Sequence, residues 1–224
     1  MPAEIQISDE NCKKYCSFMK IGSNEHMEKL YYEGEIYFNP LNYFRTLPSN
    51  TKMSDMREGA YKIQQAKNIK LTINDKIFRS ESGQIQYTKK NLKGNIYCLY
   101  GLETNKISPS KKFRKLNLDL CALDWGDTVV YIYDTQEFLN RIDLLFQAKN
   151  IEYKAHPINY YDDKFYEGNL SVFYKPKIFE KQNEIRFWIP NLQDEAIKFN
   201  IESISDISVI LKKEEFINIK YDYK

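Results

Sequence analysis

The sequence predicts an α+β fold: a mostly antiparallel β core, split or in two sheets, with about two principal helices in one domain over residues 1–224. Three observations predict it. Stretches of period-two alternation outnumber stretches of helical period. The two clear helical patterns are far apart in the chain. Two strand–helix–strand units, starting near Tyr15 and Gly126, stand on either side of a long all-β section.

The elements follow in order. YCSFMKI reads as a strand. Ser23 offers an N-cap, Glu25 stands in the first turn, and Met27, Leu30 and Tyr31 form an apolar stripe that Gly34 closes. EIYFN is a strand ended by Pro40. The polar stretch 39–59, with the aromatic pair Tyr43-Phe44 and an Arg-Glu-Gly close, has the length of a lid or binding loop. YKIQQAKNIKLTI is one long strand or two short ones. KIFRSESGQIQYTK reads as a hairpin turning at Ser82-Gly83. GNIYCLYGL is a buried strand, and 104–119 an exposed loop. In the second unit DTVVYIY is a strand, Asp134 and Glu137 form a capping box, and Phe138, Ile142 and Leu145 mark the apolar face. IEYKAHPINYY, LSVFYK, NEIRFWIP, AIKFNI, ISVILKK and IKYDY are read as strands.

Composition narrows the function. Lys and Arg number 33 against 31 Asp and Glu, a net charge of +2 with the signs interspersed. Nucleic-acid binding is therefore not favoured. Cys12 and Cys16 lack a second close pair to complete a zinc tetrad, and Cys98 reads as a buried thiol, so no metal is expected. MPAEIQISDENCKK is polar and no run approaches a membrane span. The expectation is a reduced, soluble, cytoplasmic protein. No nucleophile elbow, HExxH, phosphate loop or dinucleotide fingerprint occurs. Asp162-Asp163 are adjacent and would point apart on a strand, which argues against a nuclease metal site.

Candidate chemistry centres on Gln182-Asn183-Glu184. On a strand Gln182, Glu184 and Arg186 share a face. Lys175, Lys177 and Phe173-Tyr174 lie close by, and a carboxylate beside two cations is held ionised. His26, one turn before Leu30, is the other candidate base or ligand for ribose or phosphate.

The segments HMEKLYYEGEIYFNPLNYFR, DMREG, NIYCLY, GDTVVYIYDTQEFLNRI and FYKPKIFEKQNEIRFWI resemble a loose group of uncharacterised bacterial and phage proteins, over about Tyr15 to Pro190. More distantly, the strand–helix–strand opening and the Gln182-x-Glu184 strand start resemble ADP-ribosyltransferases. That resemblance implies an enzyme acting on NAD as a toxin, defence or counter-defence factor. Glu184 would hold the nicotinamide-ribose hydroxyl and Gln182 would orient the acceptor. Lys20 would stand where the family has arginine or histidine, a departure that removes the forked or ring geometry. The Ser-Thr-Ser motif is absent, and Tyr37 or Tyr61 would replace it; Lys20, His26, Tyr37 and Arg186 are then the candidate NAD-binding residues. The alternative is a non-catalytic module that recognises a nucleotide-like ligand or a protein partner through tyrosines in the 37–44 and 159–166 stretches.

Overall fold

The computed structural model describes residues 15–48, 55–88, 93–103, 114–115, 124–190, 194–217 and 220–221. Cys12, Cys121 and nearly all of the loop expected at 104–119 lie outside them. The fold is α+β on mostly antiparallel sheets, as the sequence predicts. Among the described residues no helix is long and apolar enough to cross a membrane.

The first unit forms from its local signals. Strand β1 (Tyr15–Gly22) leads into helix α1 (Asn24–Glu28), which widens into a π-helical turn over Lys29–Glu33. Gly34 ends it at φ 67°, a left-handed position where a Cβ would strike the backbone of Glu202. Ser23 stands at the N-cap position without capping; its hydroxyl meets His26 Nδ1 at 3.1 Å instead. Strand β2 (Glu35–Pro40) follows, then a short helix α2 (Leu41–Thr46) in the stretch read as a loop.

Strands β3 (Ala60–Ile73) and β4 (Lys76–Thr88) pair along their whole length. The hairpin expected at Ser82-Gly83 is not there. The chain turns at Asn74-Asp75, both at positive φ (46° and 62°), the signature of a two-residue type I′ turn that matches strand twist. Gly83 lies inside β4, where a Cβ would meet only Ile69 Cδ1, the end of a side chain that can turn aside.

The central strand is β5 (Asn95–Glu103). On one edge it pairs with β12 (Glu184–Ile189), from Tyr100↔Glu184 to Asn95↔Ile189. Its other edge is shared. β1 takes Tyr100 to Glu103, and β2 takes Asn95 and Ile96. Between them Tyr97, Cys98 and Leu99 have no strand partner on that edge among the described residues, so the sheet is split there. Beyond β1 lie β7 (Thr128–Ile132) and β14 (Ser208–Lys212), and β13 (Ile197–Asn200) flanks β2.

One face of the sheet is covered by helix α3 (Thr135–Ala148). Asp134 caps it by accepting the Glu137 N–H at 3.0 Å. Glu137 does not close the box; its carboxylate bonds Arg141 and Asn140. Phe138, Ile142 and Phe146 are fully buried, with Leu145 at the margin. They pack on Phe18, Tyr97, Ile185 and Phe187 of the sheet. Each such side chain contributes about 1.5–3 kcal/mol by leaving water.

The segment read as one strand at 151–161 breaks in two. β8 (Lys154–Pro157) pairs with β12; β9 (Asn159–Tyr161) runs parallel to β11 (Tyr174–Pro176). Lys177–Gln182 is a 3-10 helix. Helix α4 (Lys213–Ile217) follows β14; the two-residue strands β6 (Arg114–Lys115) and β15 (Lys220–Tyr221) pair with each other, and β10 (Gly168–Asn169) pairs with β3.

Candidate functional site

On the sheet face opposite α3, β5 and β12 place Glu184 beside Tyr100, and Arg186 beside Cys98. Both charged side chains are buried, Glu184 at 6% exposure and Arg186 at 0%. A lone buried charge costs several kcal/mol, so partners are required. Glu184 Oε1 accepts from Arg186 Nε at 2.7 Å, and Oε2 from Lys175 Nζ at 2.6 Å. The Arg186 fork is bidentate to Glu58, at 2.7 and 3.0 Å, and also donates to the Val172 carbonyl. Lys175 Nζ donates as well to Gln182 Oε1 at 2.9 Å. A continuous chain results: Glu58, Arg186, Glu184, Lys175, Gln182.

The expectation that Gln182 and Glu184 share a strand face needs correction. Gln182 closes the 3-10 helix, and Asn183 sits between at φ 40°. Asn183 brackets Gly101, accepting its N–H at 2.9 Å and donating its side-chain amide to its carbonyl. Lys175, not strand alternation, brings Gln182 to Glu184.

The electrostatics follow from burial and pairing. Burial alone raises the Glu184 pKa, but Arg186 and Lys175 outweigh it and hold the carboxyl well below the usual range. Burial lowers Lys175 and Arg186; Glu184 and, for Arg186, Glu58 reverse that, and both stay charged. Asp55, buried next to Glu58 in the turn before β3, is pushed up to about 6 by burial and then by the Glu58 charge. The Cys98 thiol is pushed up to about 12 by burial and by Glu184, which makes it a poor nucleophile.

A cavity of about 170 Å³ opens where the sheet splits. Lys20, Tyr37, Gln182, Glu184 and Arg186 all line it, together with Lys175, Tyr97, Cys98, Asn39 and the aromatic side chains of Tyr43, Phe44 and Trp125. Lys20 bridges the split: its Nζ donates to the unpaired Cys98 carbonyl at 2.6 Å and stands 4.5 Å above the Tyr97 ring. Burial lowers its pKa. Tyr37 and Tyr43 are exposed at the rim. A second, more polar cleft of about 750 Å³ touches Glu184 from the β8–β9 side, past His156, Tyr160 and Glu180.

Two candidates do not join. His26 is exposed on α1, outside the cavity lining. Tyr61 packs on Tyr87 in the β3–β4 ribbon. Arg186 lines the cavity, but its guanidinium is occupied by Glu184, Glu58 and Val172, so its role toward a ligand is to fix Glu184. Sequence reasoning missed Glu58, Asp55 and the aromatic Trp125. Only the DMREG segment signals the first two, as two acids three apart on one turn. Among the described residues no group of three or more His, Cys, Asp or Glu is placed to hold a metal ion. No family model, curated protein or solved structure matches the chain.

Proposed function

We propose that the protein binds a nucleotide-like small molecule, with a flat ring in the cavity at the sheet split, and that NAD is the first candidate ligand. One observation carries this reading. The cavity combines aromatic walls (Tyr37, Tyr43, Phe44, Trp125) with the buried Lys175 and Glu184 and the partly buried Lys20. Aromatic side chains suit a flat heterocycle, and a few placed polar groups fix its orientation. At about 170 Å³ the cavity is smaller than the usual ~300–1,000 Å³ of drug-sized sites. It takes one end of a dinucleotide, and the remainder lies over the rim. Calorimetric titration with NAD, ADP-ribose, ATP and nicotinamide tests this. Tyr37→Ala and Lys20→Met should each weaken binding at least tenfold; no heat from any of the four ligands with folded protein sinks the reading.

A second reading, ADP-ribosyl transfer or NAD hydrolysis, is favoured by the placement of Gln182 and Glu184 on one Lys175 ammonium at the cavity. Here Glu184 would accept a ribose hydroxyl proton in a hydrogen bond. The glycosidic C–N bond would break, nicotinamide would leave with the bonding pair, and water or a target nucleophile would add to the ribose carbon and release its proton. The charge balance weighs against it, because Lys175 and Arg186 already neutralise the carboxylate that would stabilise the oxocarbenium ion. Free nicotinamide produced by wild type and lost in Glu184→Gln would establish the transferase or glycohydrolase class and make the target the next question. Binding without release identifies the non-catalytic module.

A further inference from the structure

The balanced net charge conceals an uneven distribution. The β3–β4 ribbon, residues 60–88, holds five Lys or Arg and two Asp or Glu, a net of +3. The whole chain nets +2, so the other 195 residues net −1. From Lys67 to Ser82 every residue but Ile69 is exposed, on both faces of the ribbon. Six residue steps beyond Lys67 give an arm of roughly 20 Å.

The arm is two-faced. Partners in an antiparallel pair share a face, so Leu71 with Phe78, and Ile73 with Lys76, project on one side. Leu71 and Phe78 are 55% and 52% exposed. On the other side Lys70 stands directly opposite Arg79, beside Thr72 and Ile77. Like charges placed opposite one another destabilise a ladder, and a two-stranded ribbon with both faces wet is marginal by itself. Lys67, Lys70, Lys76 and Arg79 form no ion pair among the described residues. A polyanion would turn each of these costs into a gain.

We propose that the β3–β4 ribbon is a DNA-binding arm that lies in the groove of a B-form duplex. The major groove, about 12 Å wide, admits a two-stranded β-ribbon. The deep, narrow major groove of A-form RNA does not. Lys70, Arg79, Lys67 and Lys76 are long enough to reach phosphates on the groove walls. The apolar face of Leu71, Ile73 and Phe78 meets base edges and thymine methyl groups. Contact is dominated by phosphates, so it is weakly sequence-specific and steeply salt-dependent. The remainder of the chain has no net positive charge to hold the duplex, so the cavity at the sheet split stays accessible.

The test is fluorescence anisotropy of a labelled 24-base-pair DNA duplex with the full chain at low salt. Binding should fall on the order of 10²-fold between 50 and 200 mM salt, as about four neutralised phosphates require. Lys70→Glu/Arg79→Glu should weaken it at least tenfold, and the milder Lys67→Ala/Lys76→Ala should weaken it several-fold. Lys149→Glu, at the exposed end of α3, should leave it unchanged. Circular dichroism checks that each variant is folded. No binding of DNA at 50 mM salt overturns the proposal, as does equal affinity for an RNA duplex of the same sequence. So does a ribbon-dependent dimer, seen in sedimentation and lost in Leu71→Ser/Phe78→Ser, without DNA binding.

Discussion

Two arginines in this protein have the same company and opposite surroundings. Arg186 lies between Glu184 and Glu58 with no exposure. Arg141, on α3, lies between Glu137 and Asp206, at 2.8 and 2.5 Å, with its side chain 20% exposed and its partners more so. The geometry is close to identical; the solvent is not. Around Arg141 water screens the charges and can replace either carboxylate. Around Arg186 nothing replaces a lost partner. The difference teaches that ion-pair distance alone says little about stability. What counts is the alternative available to each charge when its partner is removed.

The comparison can be broken most directly by deletion. Arg186→Met leaves Glu58 buried without its ion-pair partner and Glu184 with Lys175 alone, and should cost about 3–5 kcal/mol in urea unfolding. Arg141→Met should move the urea midpoint only slightly. Equal losses would mean that burial is not what separates the two clusters. A smaller and opposite effect is expected at Asp55. Its folded-state pKa of about 6 lies above the unfolded value near 4. The penalty of ionising it is therefore absent below pH 4, grows as pH rises through 4 to 6, and is complete at pH 7. Asp55→Asn should stabilise the protein by about 1–3 kcal/mol at pH 7.5 and by nothing at pH 4. Glu184 runs the other way: its depressed pKa gives stability above pH 4.5 that is lost as pH falls. The smallest effect is that of salt. At 1 M the screening length drops to about 3 Å, so the modest cost of Arg141→Met should vanish while that of Arg186→Met persists.

What could be read from the sequence follows the range of each interaction. The α+β class, the unit around α1, the buried β5 and the Asp134 cap all depend on neighbours within a few residues, and all were legible. So was the convergence of Glu184 and Arg186 on one face, since β12 is regular from Glu184 onward. The turn expected at Ser82-Gly83 lies instead at Asn74-Asp75, which carries the same turn chemistry without glycine, while Gly83 stands in the interior of β4. The 3-10 helix before Asn183 was hidden because the stretch holds too few residues to show a period. The Glu58–Arg186 pair spans 128 residues, and no local pattern marks a glutamate in a polar turn as the partner of an arginine in a strand. The cavity itself was illegible for the same reason, since it exists only where β1 and β2 part along β5.

That separation also sets a schedule for the newly made chain. A ribosome adds roughly 5–20 residues each second, so Glu58 waits on the order of 6–25 s for Arg186 to be synthesised. During that time β5 lacks its β12 neighbour, and the first half of the protein cannot close around Glu58. Nascent chains halted before Lys175 should stay open to protease, and folding should begin in earnest only once Arg186 has been synthesised.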